Sequence, residues 1–541
     1  MTRPNQLLLS LLGISFLLLS GCSTDTNDEI EVSVSLAFDE SSLPSEDLPA
    51  DGGDVVLDVN WANTNWTVKA GDVVSGEKFI SQITPGSGGD ADKGDSQTTV
   101  TVSFSANQTM SANQQKIILR SYSGGQADTI ILKQAAKPTP KINISLDPNT
   151  SYQTISGFGG ANMIWGTDYL SESEMNLAFG TGDDDLGLSI LRVRLSSDKN
   201  DWAGLVNTIK LANERKVKVL ASPWSPPAEW KSNSSTDGGG HLQEEHYADF
   251  ANYINEFIQY MDSQGATVDV VSIQNEPDWL AGYEGCEYTI AQLLNFMKNN
   301  AGSISGAKVL AAESLNSNHA YTDDILNDPN AAANLDIIGG HLYGSGLARY
   351  PLAAQKGKEI WMTEHLLNLD SGNNPDNWTA DTPVGRVWNE TMEMVTEIQT
   401  CLSYNWNAYI WWYIRRYYSF LGDGERGTTR GQILKRGYAM SQFSKFIRPG
   451  SVRIKAELDN TTTALSLTAY QGDDKLVIVA VNPSDSEIPE VTIALPGSAS
   501  LATTYRTSEF VNRKKEMLVA NDSEVGLNIP AKSIITIVIT N

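Results

Sequence analysis

The apolar positions along the 541 residues change their period twice. From about Glu31 to Ala136 they alternate: Val100, Val102 and Phe104 interleave with Thr101, Ser103 and Ser105, the mark of a half-buried strand. Residues 55–59, 116–119 and 129–132 are further strands, and Gly- and Asp-rich turns separate them (Gly52-Gly53, 86–90, Gly124-Gly125). This pattern predicts a β-sandwich of roughly 100 residues. Short apolar strands then alternate with helix-period segments, the sign of parallel βα units. Eight strands are predicted, at 155–160, 189–195, 217–224, 268–276, 308–313, 335–343, 359–364 and 408–415. Between the third and fourth, Tyr247, Phe250, Ala251, Ile254, Phe257, Ile258 and Met261 fall on one helix face, with Gly265 just past its end. Eight such units predict a (β/α)8 TIM barrel, and the stretch has that fold's usual length of ~250–300 residues. After Pro449 the helices stop, and 465–470, 476–481, 491–495 and 534–539 read as strands of a side-associated second sandwich.

The resulting layout is a multi-domain chain. Residues 1–21 are a signal peptide, 22–34 an acidic tether, 35–136 the first sandwich and 137–141 a Pro-rich linker. The barrel occupies 142–448, with 142–154 able to join the second sandwich at 449–541. The first sandwich resembles the Bacteroidetes-associated carbohydrate-binding often N-terminal (BACON) module, with Trp61 and Trp66 in its central segment. Core packing is the commoner use of such tryptophans, so the module is expected to act as a spacer. At the chain start, Arg3 precedes a hydrophobic run from Leu7 to Leu19, too short to span a bilayer comfortably. Leu19-Ser20-Gly21-Cys22 resembles a bacterial lipobox, which implies acylation at Cys22. A surface-exposed outer-membrane lipoprotein in the cell envelope is therefore expected. Cys286 and Cys401 remain, and the barrel reading puts them at opposite ends, so both are expected to be free.

Charge narrows the chemistry. Asp and Glu number 65 against 39 Lys and Arg, a net charge of −26. A surface this negative repels polyanions, which nearly excludes nucleic acid as a partner. Five His and three Cys leave little for a zinc or iron–sulfur site, so no metal and no cofactor are expected. A monomer is expected.

In a TIM barrel the side chains at the carboxyl ends of the strands face the active-site mouth. Those ends carry Trp224, Asn275-Glu276, Glu313, His341 with Tyr343, Glu364 and Arg415. Two glutamates on separate strands can converge on one bond, and glycosidic cleavage through an oxocarbenium-like transition state needs two carboxyls. Glu313 is a third, so composition alone leaves the pair open. In the last strand Trp411, Tyr413 and Arg415 share one face, predicted to point into the mouth, and Trp412 and Ile414 share the other. An Arg fork suits a carboxylate bidentately. The alternative for Arg415 is a bridge to a nearby acid, the role expected of Arg416.

These motifs carry a resemblance. Gly157-Phe158-Gly159-Gly160, Ser222-Pro223-Trp224-Ser225-Pro226-Pro227, Ile273-Gln274-Asn275-Glu276-Pro277-Asp278-Trp279, Gly340-His341-Leu342-Tyr343-Gly344, Trp361-Met362-Thr363-Glu364-His365 and Asn407-Ala408-Tyr409-Ile410-Trp411-Trp412-Tyr413-Ile414-Arg415-Arg416 are similar to glycoside hydrolase family 30, in its bacterial glucuronoxylanase branch. The resemblance implies a retaining endo-β-1,4-xylanase acting on glucuronoxylan, with Glu276 as acid/base and Glu364 as nucleophile. It assigns Arg415 to a glucuronic acid branch of xylan. Asn275, Tyr343, Trp165, Trp224, Trp411 and Tyr413 complete the expected substrate-binding set, while Arg192 or Arg194 supplies positive potential. Repulsion between an acidic enzyme and an acidic polymer is screened beyond ~8 Å at physiological salt, so one local Arg can still favour one uronate.

The sequence also departs from the branch. Leu366 stands where members commonly carry a Tyr near the uronate, and the loop 422–431 is longer than usual; Arg426 or Arg430 within it could compensate. Undecorated xylan, exo-xylosidase action, β-1,6-glucan and β-1,6-galactan are alternatives within the family. A surface glycan-binding protein without catalysis is the alternative of another class.

Overall fold

The computed structural model describes residues 32–109, 111–122, 124–137, 141–166, 168–369, 378–460, 463–495, 501–520 and 523–540. Cys22, the signal peptide and most of the Pro-rich linker lie outside the described residues. The chain divides into two compact units, Met1–Thr139 and Pro140–Asn541.

The first unit is two four-stranded antiparallel sheets. One is built on the pairing of Gly53–Ala62 with Ser96–Phe104, the other on Thr64–Ser75 with Asn113–Ser121. Leu57, Val59, Val100, Val102, Ile117 and Leu119 alternate inward between the sheets. Trp66 is fully buried and Trp61 nearly so; both are core residues.

The second unit contains a closed barrel of eight parallel strands: Gly157–Ala161, Ile190–Leu195, Lys218–Pro223, Val270–Ser272, Lys308–Ser314, Ile337–His341, Glu359–Glu364 and Ala408–Tyr413. All eight fall where the apolar runs predict them. The helix Tyr247–Ser263 buries the predicted stripe, Phe250, Ile254, Phe257 and Met261 included. Ile190, Leu220, Val270, Leu310, Ile337, Trp361, Ala408 and Ile410 fill the barrel interior, so it is a packed core and the site can lie only at its rim.

A nine-stranded sheet structure follows the barrel. Ile142–Thr154 precedes the barrel in the chain but pairs with Val452–Leu458 and Ile488–Ala494 in this sheet. The sequence pattern missed Val452–Leu458, Leu501–Ser508, Val511–Val519 and Glu524–Ile529. Val511–Val519 shows why: it is exposed along most of its length, so no buried face imposes alternation on it. Cys286 and Cys401 are both free and buried.

Candidate active site

A cleft of about 610 Å³ opens at the carboxyl ends of the barrel strands. Glu276 follows the fourth strand and Glu364 ends the seventh; both line the cleft and both are largely buried. One carboxylate oxygen of each, together with a ring nitrogen of His341, lies within 4.8 Å of the others. Glu276 sits at φ 47°, in the left-handed region, with Pro277 next in the chain. A non-glycine residue in that region is uncommon, and such strain clusters at functional sites.

The partners of the two carboxyls differ. Glu364 Oε1 accepts from the Tyr343 hydroxyl at 2.8 Å, and Oε2 accepts from Arg192 Nη1 at 2.5 Å. Arg192 is fully buried and also donates to Asn275 Oδ1 at 2.6 Å and to Ser222 Oγ at 3.2 Å. Glu276 Oε1 instead meets His341 Nδ1 at 2.9 Å. Burial pushes the Glu276 carboxyl above the usual carboxylate range; the Glu364 charge adds to this and the His341 hydrogen bond opposes it. Glu313, the third carboxyl, is fully buried and does not line the cleft. Burial opposes its ionisation, but Arg192 and His341 hold it down at about 2. The choice between three carboxyls left open by composition thus closes on Glu276 and Glu364 as the two that reach the cleft.

Arg192 and Arg194 separate by neighbour. Arg192 charges the floor, whereas Arg194 pairs with Glu284 and lies 5.0 Å over the Trp165 ring. Trp165 and Trp224 line the cleft with ring centres 5.7 Å apart, and Tyr283 and Trp412 extend the aromatic row at 6.4 and 6.1 Å. Asn275 lines the cleft too; since Arg192 occupies its oxygen, its NH2 is the half left to donate.

The last strand corrects three expectations. Ala408 and Ile410 point into the barrel, so Trp412 continues that face and lines the cleft, with a register shift beside it. Trp411 is fully buried on the opposite face against His365 and Phe420. Arg415 is fully buried as well. It donates to Glu174 Oε2 at 2.5 Å, to Asp168 and to the Tyr169 carbonyl, which leaves no fork for a ligand. Tyr413 lies behind the cleft wall, against Ala161, Ile164, Trp224 and Trp412, and serves as a platform for Arg416, whose guanidinium is 3.8 Å over its ring. Arg416 bonds Asp168 at 2.7 Å and keeps 23% of its side chain exposed. Leu366 lines the cleft, and Arg430 of the long loop lies 3.4 Å from Asp168.

Sequence reasoning missed Trp412, Trp279 and Tyr283 as cleft residues. A signal for Trp412 existed: barrel interiors favour branched residues, so Ala408 and Ile410 mark the inward parity better than the aromatic residues do.

Comparison with known proteins agrees with this geometry. Residues 179–413 match the glycosyl hydrolase family 30 TIM-barrel domain. The chain is 36% identical over 417 residues to a glucuronoxylanase, XynC, of Bacillus subtilis, covering 76% of this chain and 93% of that one. The crystal structure of the family 30 subfamily 8 xylanase Xyn30A from Clostridium acetobutylicum is similar at a TM-score of 0.65 and 33% identity, over 74% of this chain and all of that one. A family 30 endoxylanase from Clostridium papyrosolvens gives 0.63 and 33% over the same shares. A relative at this identity, matched over nearly its whole length, makes this chain a member of glycosyl hydrolase family 30 and hence a glycoside hydrolase.

Proposed function

We propose that the protein is a retaining endo-β-1,4-xylanase that acts on glucuronoxylan. The observation that carries this reading is the meeting of Glu276 and Glu364 within 4.8 Å in one cleft. Retaining glycosidases hold their carboxyls ~5–5.5 Å apart, whereas inverting ones need ~6.5–9.5 Å to admit a water. In the first step a Glu364 oxygen bonds to the anomeric carbon as the bond to the leaving oxygen breaks, and the Glu276 proton passes to that oxygen. In the second, water gives a proton to Glu276 and its oxygen to the same carbon, which releases the Glu364 carboxylate. Burial favours the protonated acid that the first step needs at Glu276. Arg192 and Tyr343 hold Glu364 aimed from two sides.

Relatives described as xylanases support xylan as the polymer. The uronate reading moves from Arg415 to Arg416, the part-exposed guanidinium braced by Asp168 and Tyr413. With Leu366 replacing a phenol, the branch would be held chiefly by this one cation. A lipid anchor at Cys22 would keep the enzyme on the outer membrane, where a polymer too large to enter the cell is met; globomycin-sensitive processing and labelling with a fatty-acid analogue test that part.

Digestion of glucuronoxylan, arabinoxylan and β-1,6-glucan with mass analysis of the products tests the substrate. Aldouronic acids with regularly placed branches are expected. Equal cleavage of undecorated xylan would remove the uronate from the reading, and binding without reducing-end release on any xylan would make the protein a glycan binder. The anomer first released, followed by NMR, tests retention.

A further inference from the structure

Glu313 contributes nothing to the steps above, yet it is ionised in a fully buried position, linked to Glu364 through Arg192 and to Glu276 through His341. Among the described residues its charge is met by Arg192 Nη2 at 3.1 Å and by His341 Nε2 at 3.9 Å, and neither of its oxygens has a well-aligned hydrogen bond. Burial of an anion is costly unless it is paired; here Arg192 and His341, helped by Ser272, outweigh that cost, so these neighbours indicate what it does. His341 lies between Glu313 and Glu276, and its Nδ1 contacts Glu276. The charged or titratable groups that face the imidazole are Glu276 after strand four, Glu313 on strand five, Glu364 on strand seven and Arg192 on strand two, with Tyr343 two residues along its own chain.

We propose that Glu313 is a positioning residue: a buried anion that keeps His341 in its imidazolium form, so that His341 donates to Glu276 throughout the reaction.

Counting charges shows the use of this arrangement. At rest Arg192 and His341 are positive, Glu313 and Glu364 negative and Glu276 neutral, so the cluster sums to zero. After glycosylation Glu364 is a neutral ester and Glu276 an anion, and the sum is again zero. The negative charge has moved from the carboxylate held by Arg192 to the one held by His341. Each position has a cation already in place, so little reorganisation accompanies the transfer. Without Glu313 the cluster would carry an uncompensated positive charge in a buried site, and His341 is the member able to shed it. Burial favours a neutral imidazole, but the Glu364 charge, the Glu276 hydrogen bond and Glu313 together lift His341 to about 9; of these only Glu313 stays an anion in both steps.

The proposal rests on Glu276 being the acid/base, and the experiment separates the two. The 15N chemical shifts of the His341 ring, assigned with His341→Asn, report its protonation with no substrate present. In the unaltered enzyme the imidazolium signature should persist to about pH 9. In Glu313→Gln the transition should move down by about one to three pH units, the range a single neighbouring charge commands. The alkaline half of the kcat/KM profile should then change shape, and kcat should fall more than KM rises. Glu313→Asp, which keeps the anion, should restore most of the imidazole titration. An unchanged titration in Glu313→Gln overturns the proposal. If that variant does not fold, titration of His341 in the unaltered enzyme near the ordinary ~6.5 overturns it equally. The acid/base role is tested apart, by azide rescue of Glu276→Ala on an activated aryl glycoside; failure of rescue counts against that role and leaves the imidazole result standing.

Discussion

Tyr343, two residues past the end of the sixth barrel strand, donates its hydroxyl to Glu364 Oε1 at 2.8 Å, and His341, the last residue of that strand, pairs in register with Glu364 itself. One strand end thus addresses both carboxyls, with Tyr343 on Glu364 and His341 on Glu276. The strand's end makes this possible: His341 is its last residue, and the chain beyond it carries Tyr343 to the Glu364 carboxyl.

Removing that hydroxyl isolates its contribution. Tyr343→Phe keeps the ring and loses one hydrogen bond to a charged group, worth about 1.5–3 kcal/mol. A fall in kcat of roughly 10- to 150-fold is expected, with little change in folding. Stopped-flow kinetics on an activated aryl glycoside should place the loss in the step that forms the glycosyl-enzyme. A variant with unaltered kcat would show that Tyr343 does not aim Glu364 for the proposed attack.

The two adjacent arginines should separate cleanly. Arg415→Ala strands the buried Glu174 carboxylate, and breaking a buried pair costs about 3–5 kcal/mol, which chemical denaturation would register. Arg416→Ala should leave stability within about 1 kcal/mol, since its pair with Asp168 is part-exposed. Its effect should be a lower kcat/KM on glucuronate-bearing xylan with unchanged activity on unbranched xylo-oligosaccharides. Equal loss on both substrates would show that Arg416 only supports the fold.

The neighbouring tryptophans offer a parallel contrast. Trp411→Ala opens a cavity in a closed core at a cost of about 3–5 kcal/mol. Trp412→Ala removes part of the cleft wall and should chiefly raise KM for xylo-oligosaccharides, as isothermal titration on a Glu364→Ala background would also read. Reversed outcomes would restore the parity expected from the sequence.

On the proposed mechanism Glu276 carries its proton into the first step, so kcat/KM should decline as pH rises through its elevated pKa, above the ordinary glutamate value of ~4.3. Glu364 is one cause of that elevation. In Glu364→Gln the Glu276 carboxyl should therefore titrate at lower pH, as followed by 13C NMR of labelled glutamate. The depressed Glu313 carboxyl works the other way on stability: its contribution is fully present above ~4.3 and is lost as pH falls toward about 2. An acid unfolding curve that flattens in Glu313→Gln would register this.

The sequence by itself determined the barrel, its eight strands and the three strand-end glutamates that include the pair, because each of these is written in local order. Strands buried on both faces must be short apolar runs, helices between them must show a 3.6-residue stripe, and a TIM barrel's functional residues stand at strand ends. Asn275-Glu276-Pro277 and Glu364 could be located without any coordinates. The tertiary structure alone decided which side of the last strand lines the cleft. Period two says that Trp411, Tyr413 and Arg415 go together; it does not say whether they go in or out. That depends on the packing of Ala408 and Ile410 against seven other strands and on the register shift beside Trp412. The fate of Arg415 likewise depended on Asp168 and Glu174, about 240 residues earlier in the chain, which no local pattern links to it. Glu313 was visible as a carboxyl at a strand end; its burial, which excludes it from the cleft, is a property of the closed barrel and of no single segment.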